Sequence, residues 1–236
     1  MRSTILQSIS TSVKIPLNGS AMYGDLQIPA EALGLVIFVH GSGSSRFSVR
    51  NRFVAEQLNN RLLGTLLLDL LTREEHDLDE ETMQFRFDIP RLATRSTLAV
   101  RWVLTQPQLR ELPVGLFGAS TGAAAALITA ADLKRQIAAV VSRGGRPDLA
   151  EVALNKVEAP TLLIVGGADR TVLDLNGRAA KRMHCLNRLH IIAGATHLFE
   201  EPGALEQVAG VAGDWFTEHM QNRRVFGANK EVACNG

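Results

Sequence analysis

Cysteine is scarce in this sequence. Of 236 residues only Cys185 and Cys234 are cysteines, one in a predicted helix and one in a polar C-terminal stretch. Two distant thiols allow neither a disulfide framework nor the closely spaced ligand pairs of a zinc site. We therefore expect a reduced, cytoplasmic protein that holds no metal.

Long apolar runs and an excess of either charge are also missing. No run approaches the roughly 20 residues that cross a bilayer, and the N-terminus lacks the apolar segment of a secretory signal. Lys and Arg total 25 against 24 Asp and Glu, which gives a formal net charge of +1. These absences argue against a membrane partner and against nucleic acid as the main partner. The oligomeric state stays open, with a homodimer as one option.

Short apolar runs that alternate with helical stretches make up most of the chain. This alternation predicts an α/β fold with a mostly parallel, doubly wound sheet that helices cover on both faces. Asn18-Gly19 separates the first two runs and predicts an N-terminal antiparallel hairpin. The predicted strands cover residues 12–17, 21–28, 33–39, 64–71, 113–117, 137–143, 160–165 and 188–192. The predicted helices cover residues 48–63, 89–106, 148–157, 174–185 and about 202–221, and another follows residue 120.

One domain, residues 1–222, accounts for this pattern without a large inserted cap. Residues 223–236 are polar and lack a core pattern, so we expect a flexible C-terminal tail. Residues 72–88 lose the periodicity and carry an acidic run, and we interpret them as a solvated loop. Because this segment follows a strand, it could also border a binding cleft.

The segment Gly118-Ala119-Ser120-Thr121-Gly122 lies between a predicted strand and an alanine-rich helix. A serine at a tight strand-to-helix turn stands clear of the sheet, and flanking glycines leave room for its strained backbone. The helix aims free N–H groups and its positive dipole end at the same point. We expect Ser120 to be a nucleophile; the alternative is a serine that only caps the helix.

A serine nucleophile needs a base, and the base needs an acid that orients it. Asp169 and His197 each follow a predicted strand, and the carboxyl ends of parallel strands meet at one edge of the sheet. We expect Asp169 to orient His197, and His197 to accept the proton of Ser120. Asp169 could instead be a helix cap, with Asp174 as the nearest substitute acid.

The oxyanion of an acyl-transfer reaction needs backbone N–H donors. One donor is expected at Thr121, directly after the nucleophile, and another in the glycine-rich loop His40-Gly41-Ser42-Gly43. We assign this second donor to the N–H of Ser42, within one residue. His40 more simply braces the loop.

Arg143 follows a further strand at the same edge of the sheet. Its guanidinium could point into the cleft and bind a substrate carboxylate or phosphate. Equally, Arg143 could pair with a loop carboxylate or carbonyl and hold the rim of the cleft. Arg46 and Arg86 lie in segments that could border the same cleft.

Four segments together carry a family resemblance: residues 40–45, 118–122, 166–169 and 194–200. They resemble the catalytic motifs of the α/β-hydrolases and, more narrowly, of small, cap-less members of the dienelactone hydrolase family. The resemblance extends over about residues 12–220.

The resemblance implies a catalytic triad at Ser120, Asp169 and His197, and hydrolysis of esters or related acyl compounds without a cofactor. The chain departs from dienelactone hydrolase itself, whose nucleophile is cysteine, and this favours a serine carboxylesterase. Similar sequences also occur joined to phosphoribosyltransferase domains. We expect no such domain within these 236 residues.

The expected function is therefore cleavage of a small-molecule ester through an acyl-enzyme. A thioesterase or lactonase that acts on a small acidic substrate is an alternative with the same chemistry. Two other classes stay open: a non-catalytic binding or regulatory protein on a hydrolase scaffold, and a nucleotide-binding domain, because Gly41 and Gly43 follow a strand. The nucleotide-binding hypothesis lacks the third glycine of the dinucleotide fingerprint.

Overall fold

The computed structural model describes residues 8–233, with side chains as far as residue 221. The strands are β1 (Ile9–Leu17), β2 (Ser20–Ile28), β3 (Gly34–Val39), β4 (Leu63–Leu68), β5 (Val114–Ala119), β6 (Ile137–Arg143), β7 (Thr161–Gly166) and β8 (Asn187–Ile192). The α-helices are α1 (Val49–Asn59), α2 (Arg73–Thr82), α3 (Ile89–Thr105), α4 (Thr121–Leu133), α5 (Arg170–Arg182) and α6 (Ala204–Ala233). Short 3₁₀ segments span Lys134–Gln136 and Pro147–Lys156.

The strands form one sheet in the order β1-β2-β4-β3-β5-β6-β7-β8. β2 pairs antiparallel with both β1 and β4, and all the later pairs are parallel. Gly19, in the two-residue turn between β1 and β2, has a φ of +78°, which glycine adopts without steric cost. The predicted α/β fold and its N-terminal hairpin are therefore confirmed.

The core lies on both faces of this sheet. Every residue of β3, β4, β5, β6 and β7 is buried, as expected of parallel strands that helices cover on both sides. Along β3, Leu35 and Ile37 pack into the cluster under α3 and α4, whereas Val36 and Phe38 pack into the cluster under α1 and α6. Each such side chain contributes about 1.5–3 kcal/mol on burial.

The prediction of a solvated loop over residues 72–88 is wrong. Most of this segment forms α2, which begins with a capping box at Thr72. The Thr72 hydroxyl accepts from the N–H of Glu75 at 3.2 Å, and the Glu75 carboxylate accepts from the N–H of Thr72 at 2.9 Å. The Thr-x-x-Glu pattern is the sequence signal for such a start, even though the segment lacks an apolar face.

The C-terminal helix extends farther than predicted. α6 ends at Ala233 rather than near residue 221. The side chains of the predicted tail, residues 223–236, lie outside the described side chains, and the flexibility of this tail stays a prediction. Within residues 8–233, no helix combines the length and apolar character needed to cross a bilayer.

Candidate active site

Ser120 occupies a strained turn between β5 and α4. Its φ of 50° and ψ of −123° match the first central residue of a type II′ turn, a position that glycine normally takes. For a residue with a side chain, this conformation costs about 1–3 kcal/mol. Two hydrogen bonds stabilise the turn: Ser120 N–H donates to Arg143 O at 3.1 Å, and Ser120 O accepts from Arg146 N–H at 3.0 Å.

The glycines on either side of Ser120 are required by close packing. A Cβ atom at Gly118 would lie 2.5 Å from Cα of Ala123, and one at Gly122 would overlap the carbonyl oxygens of Val39 and His40. The first turns of α4 therefore run against the backbone of β3 and β5. This closeness also explains the fully buried alanine run that opens α4.

Asp169 and His197 are in direct contact at the neighbouring strand ends. Nδ1 of His197 lies 2.7 Å from Oδ2 of Asp169. Oδ1 of the same carboxylate caps α5 by accepting from the N–H of Val172 at 3.4 Å, so Asp169 is both a helix cap and the partner of His197. An ionised carboxylate only accepts, so Nδ1 carries the proton and Nε2 is left as an acceptor.

The loop that carries His197 is tied to the loop of Asp169 and lies over the strand end next to Ser120. Ala168 N–H donates to Ala195 O at 2.9 Å. A Cβ atom at Gly144, the residue after β6, would lie 3.6 Å from Cε1 of His197. Gly144 has a φ of +51°, a conformation that favours glycine, and a Cβ atom there would also lie 3.2 Å from the carbonyl oxygen of His197. The described contacts include no hydrogen bond between Ser120 Oγ and His197 Nε2.

Glu201 supports the His197 loop, a role that the sequence did not indicate. Its Oε1 accepts from the N–H of Thr196 at 3.0 Å. Hydrogen bonding from the Thr196 side chain, with smaller contributions from the backbone amides of Glu201 and Thr196, lowers the pKa of Glu201. The contact fixes the backbone next to His197. A glutamate five residues away in the sequence carries no motif signal of such a contact.

His40 braces the glycine-rich loop after β3, as expected. Leu70 N–H donates to Nε2 of His40 at 3.0 Å, and Nδ1 lies 2.9 Å from Gly41 O. Because Nε2 accepts, the proton resides on Nδ1, and the imidazole is neutral. Burial lowers the pKa of His40, which is consistent with this neutral form.

The two predicted oxyanion donors lie side by side, but one of them is occupied. The N–H of Ser42 donates to Oγ1 of Thr121 at 2.9 Å. The N–H of Thr121 itself belongs to the first turn of α4, where backbone donors have no intrahelical partner. In this conformation the Ser42 amide is therefore not free to bind an oxyanion.

Arg143 is buried at the end of β6 without an anionic partner. It is 9% exposed, and its Nη1 has no hydrogen-bond partner. No carboxylate oxygen of the described residues lies within 4.0 Å of its guanidinium nitrogens. Burial, with a further contribution from the charge of Arg50, lowers the pKa of Arg143 to about 10. The sequence analysis also allowed Arg143 to hold the rim of the cleft by pairing with a loop carboxylate. The described residues form no such pair.

The other two arginines near the cleft are paired. Arg46 forms an ion pair with Asp69, and Arg86 pairs with Asp79 at 2.8 Å. Their charges are therefore neutralised by the protein itself, in contrast to that of Arg143.

A cavity of about 820 Å³ lies beside this edge of the sheet. It is lined by the β1–β2 hairpin, the loop after β3 and the start of α2, including His40, Arg46 and Asp69. Neither Ser120 nor His197 lines it. Among the residues whose side chains are described, no group of three or more His, Cys, Asp and Glu residues could hold a metal ion.

Comparison with known proteins identifies the family of the chain. The sequence pattern of the dienelactone hydrolase family matches residues 29–222. The crystal structure of dienelactone hydrolase from Anabaena variabilis is 51% identical in sequence with a TM-score of 0.88, over 90% of this chain and 99% of that chain. Est1E from Butyrivibrio proteoclasticus, at 17% identity and a TM-score of 0.74, covers 89% of this chain and 98% of its own and shares the fold alone.

One relative that is longer than this chain is not named as a hydrolase. A Mycobacterium tuberculosis (strain H37Rv) protein, provisionally named a phosphoribosyl transferase, is 55% identical over 197 residues. The match covers 84% of this chain but 44% of that relative, so the chain spans less than half the length of this curated relative. From the family pattern and the overall fold together, the chain belongs to the dienelactone hydrolase family and has the α/β-hydrolase fold.

Proposed function

We propose that the chain is a serine hydrolase that cleaves small-molecule esters through an acyl-enzyme, without a cofactor. Family and fold support hydrolase activity; the triad and the ester substrate are the proposal. The observation that carries it is the 2.7 Å contact between His197 Nδ1 and Asp169 Oδ2, after β7 and β8 on the same edge of the sheet as the strained Ser120 turn.

In the proposed reaction, Ser120 Oγ attacks the ester carbonyl carbon while Nε2 of His197 takes the hydroxyl proton. Collapse of the tetrahedral intermediate breaks the bond to the alcohol, which leaves with that proton. His197 then deprotonates a water that attacks the acyl-enzyme, and the acid and free Ser120 are released. Asp169 fixes the imidazole and stabilises its charged form.

The position of Ser120 supports this role electrostatically. Its Oγ stands at the N-terminus of α4, where the helix dipole favours negative charge on the attacking oxygen and on the oxyanion. The hydrogen bond between Ser120 and His197 must close during the reaction. Such contacts are often long in a free enzyme and shorten when substrate binds.

The unpartnered guanidinium of Arg143 favours a second candidate, a thioesterase or lactonase that acts on a small acidic substrate. A buried cation without a protein anion has a large desolvation cost, which a substrate carboxylate would offset. Ser120 N–H donates to Arg143 O, so this side chain emerges from the residue that supports the nucleophile turn. Arg143 is therefore the proposed substrate-binding residue.

Replacing Ser120 by alanine tests the main proposal. We expect hydrolysis of p-nitrophenyl acetate to fall by at least about 1000-fold, and labelling by a fluorophosphonate probe to disappear. Ser12→Ala is the matched control, because Ser12 is exposed on β1 and should leave both readouts unchanged. Retained turnover in a folded Ser120→Ala protein would refute the assignment. Absent labelling of the unaltered protein would favour the non-catalytic alternative.

The acidic-substrate candidate is tested with Arg143→Met and paired esters. We expect kcat/KM for a hemisuccinate ester to fall about tenfold or more relative to the matching neutral ester, since a charge-assisted contact is lost. Arg143→Lys, which retains the charge, should recover part of the difference. An equal change for both esters would contradict a substrate-binding role.

A further inference from the structure

The hydroxyl groups of Ser42 and Thr121 form a closed hydrogen-bond arrangement beside the nucleophile. Ser42 N–H donates to Thr121 Oγ1 at 2.9 Å. Ser42 Oγ donates to the carbonyl of Arg86 at 2.7 Å, and the two hydroxyl oxygens lie 2.8 Å apart. The arrangement joins the loop after β3, the start of α4 and the segment after α2.

Counting protons fixes the direction of each hydrogen bond. A serine hydroxyl has one hydrogen, and that of Ser42 is used on the Arg86 carbonyl, which can only accept. The hydrogen between the two hydroxyls must therefore come from Thr121. Thr121 Oγ1 thus donates to Ser42 Oγ and accepts from Ser42 N–H, so the amide proton that could bind an oxyanion is already satisfied.

The Arg86 carbonyl that binds Ser42 is held by an ion pair between Arg86 and the buried Asp79. Asp79, on α2, accepts from the amides of Phe85 and Arg86 at 2.7 and 2.9 Å and from Nε of Arg86 at 2.8 Å. Its side chain is 3% exposed. Burial alone would raise the pKa of Asp79, but these hydrogen bonds and the charge of Arg86 lower it. The Arg86 carbonyl that anchors Ser42 is therefore fixed.

Because Ser42 is anchored, Thr121 is the partner that can move. Thr121 is the first residue of α4, and threonine divides between two χ1 rotamers in helices. Rotation about χ1 would remove Oγ1 from the Ser42 amide without displacing either backbone. The Ser42 amide would then be free to donate to another acceptor.

We propose that the Thr121 hydroxyl is a gate on the oxyanion hole, closed in the free protein and opened when a substrate carbonyl oxygen replaces it on the Ser42 amide. The gate rests on the proposed function, because it regulates access to the oxyanion site of the Ser120 reaction. The Asp79–Arg86 pair is the positioning element that keeps the Ser42 amide in place while the gate opens.

The gate predicts that losing the hydroxyl accelerates the acylation step. In Thr121→Ala the carbonyl oxygen no longer competes with an internal acceptor, so we expect the second-order labelling rate with a fluorophosphonate to rise about fivefold, as for one net hydrogen bond. The phosphoryl oxygen of the probe occupies the oxyanion site, fluoride leaves, and the Ser120 proton passes to His197. Thr121→Ser, which retains the hydroxyl acceptor, should label more slowly than Thr121→Ala, because the internal acceptor still competes for the Ser42 amide.

Amide hydrogen exchange gives a second reading that does not require activity. The Ser42 amide should be protected in the unaltered protein and in Thr121→Ser, and should lose protection in Thr121→Ala. If circular dichroism shows that Thr121→Ala is unfolded, Thr121→Cys takes its place with the same expected directions, because a thiol is a weak acceptor.

The outcomes separate the gate from the proposed function. Faster labelling of the alanine variant than of both the unaltered protein and the serine variant supports the gate. Unchanged or slower labelling of the alanine variant, with Ser120-dependent labelling intact in the unaltered protein, overturns the gate alone. Absence of Ser120-dependent labelling in every protein refutes the proposed function and the gate with it. An unprotected Ser42 amide in the unaltered protein also overturns the gate.

Discussion

Replacing Ser120 by glycine should separate backbone strain from catalysis at the proposed nucleophile. The φ of 50° and ψ of −123° at this position suit glycine, which has no Cβ to clash with the backbone. Ser120→Gly and Ser120→Ala both remove the hydroxyl, but only the glycine variant relieves the strain. We expect both proteins to be inactive and the glycine variant to be the more stable of the two.

The size of the difference follows from two opposing terms. The strained backbone costs about 1–3 kcal/mol, and glycine removes this cost whereas alanine keeps it. Glycine also has more conformational freedom in the unfolded chain, which destabilises the folded glycine variant by about 0.5–1 kcal/mol. The free energy of unfolding of Ser120→Gly should therefore exceed that of Ser120→Ala by up to about 2.5 kcal/mol. For a chain of this length, that corresponds to an increase of up to about 10 °C in Tm.

Glu151 offers a matched control, because its φ of 45° and ψ of −120° nearly repeat those of Ser120 at an exposed position. Glu151→Gly should likewise melt above Glu151→Ala, with ester hydrolysis unchanged in both. Thermal unfolding followed by circular dichroism measures all four variants. If Ser120→Gly melts below Ser120→Ala while the Glu151 pair behaves as expected, strain at the nucleophile is refuted.

Three further predictions concern the residues around the site. Gly122→Ala should lower the free energy of unfolding by about 1–3 kcal/mol or more in urea titrations, because its Cβ would overlap backbone oxygens; an unchanged midpoint would contradict the packing. Burial holds the pKa of His40 below 6.5, so the unfolded chain binds more protons there, and stability should fall as pH drops from about 6.5 towards the folded-state pKa. His40→Gln should reduce that slope, and an identical slope would exclude His40 as its source. Arg143→Met should raise the free energy of unfolding by about 1 kcal/mol or more, since an unpartnered buried charge is removed; destabilisation would indicate that Arg143 has a structural role.

The positions of the candidate site residues could be predicted because each of them follows a predicted strand. The apolar runs before Ser120, Asp169 and His197 fix the carboxyl edge of the sheet, and the structure brings Asp169 and His197 into contact there. Ser120 Oγ and His197 Nε2, in contrast, are not joined by a hydrogen bond in this structure. Sequence places a residue at a strand end, but it does not set the χ angles that close a hydrogen bond.

α2 shows a different limit of sequence reading. Its residues lack the apolar periodicity by which a helix is recognised, and its stability depends on the capping box and on contacts of the buried Asp79. The capping pair is local and could have been read from the sequence. The Asp79–Arg86 pair depends on how the chain turns after the helix, and this turn has no sequence signature.

The sequence by itself determined the layered α/β fold and the edge of the sheet at which the candidate site residues lie, because burial on both faces imposes continuous apolar runs and parallel strands end together. The tertiary structure alone decided which polar groups at that edge have hydrogen-bond or ion-pair partners. Ser42 and Thr121 are 79 residues apart in the chain, and Arg143 lacks a carboxylate partner only because of what packs around it. Hydrogen bonds and desolvation depend on distances of a few ångströms, which the order of residues does not encode locally.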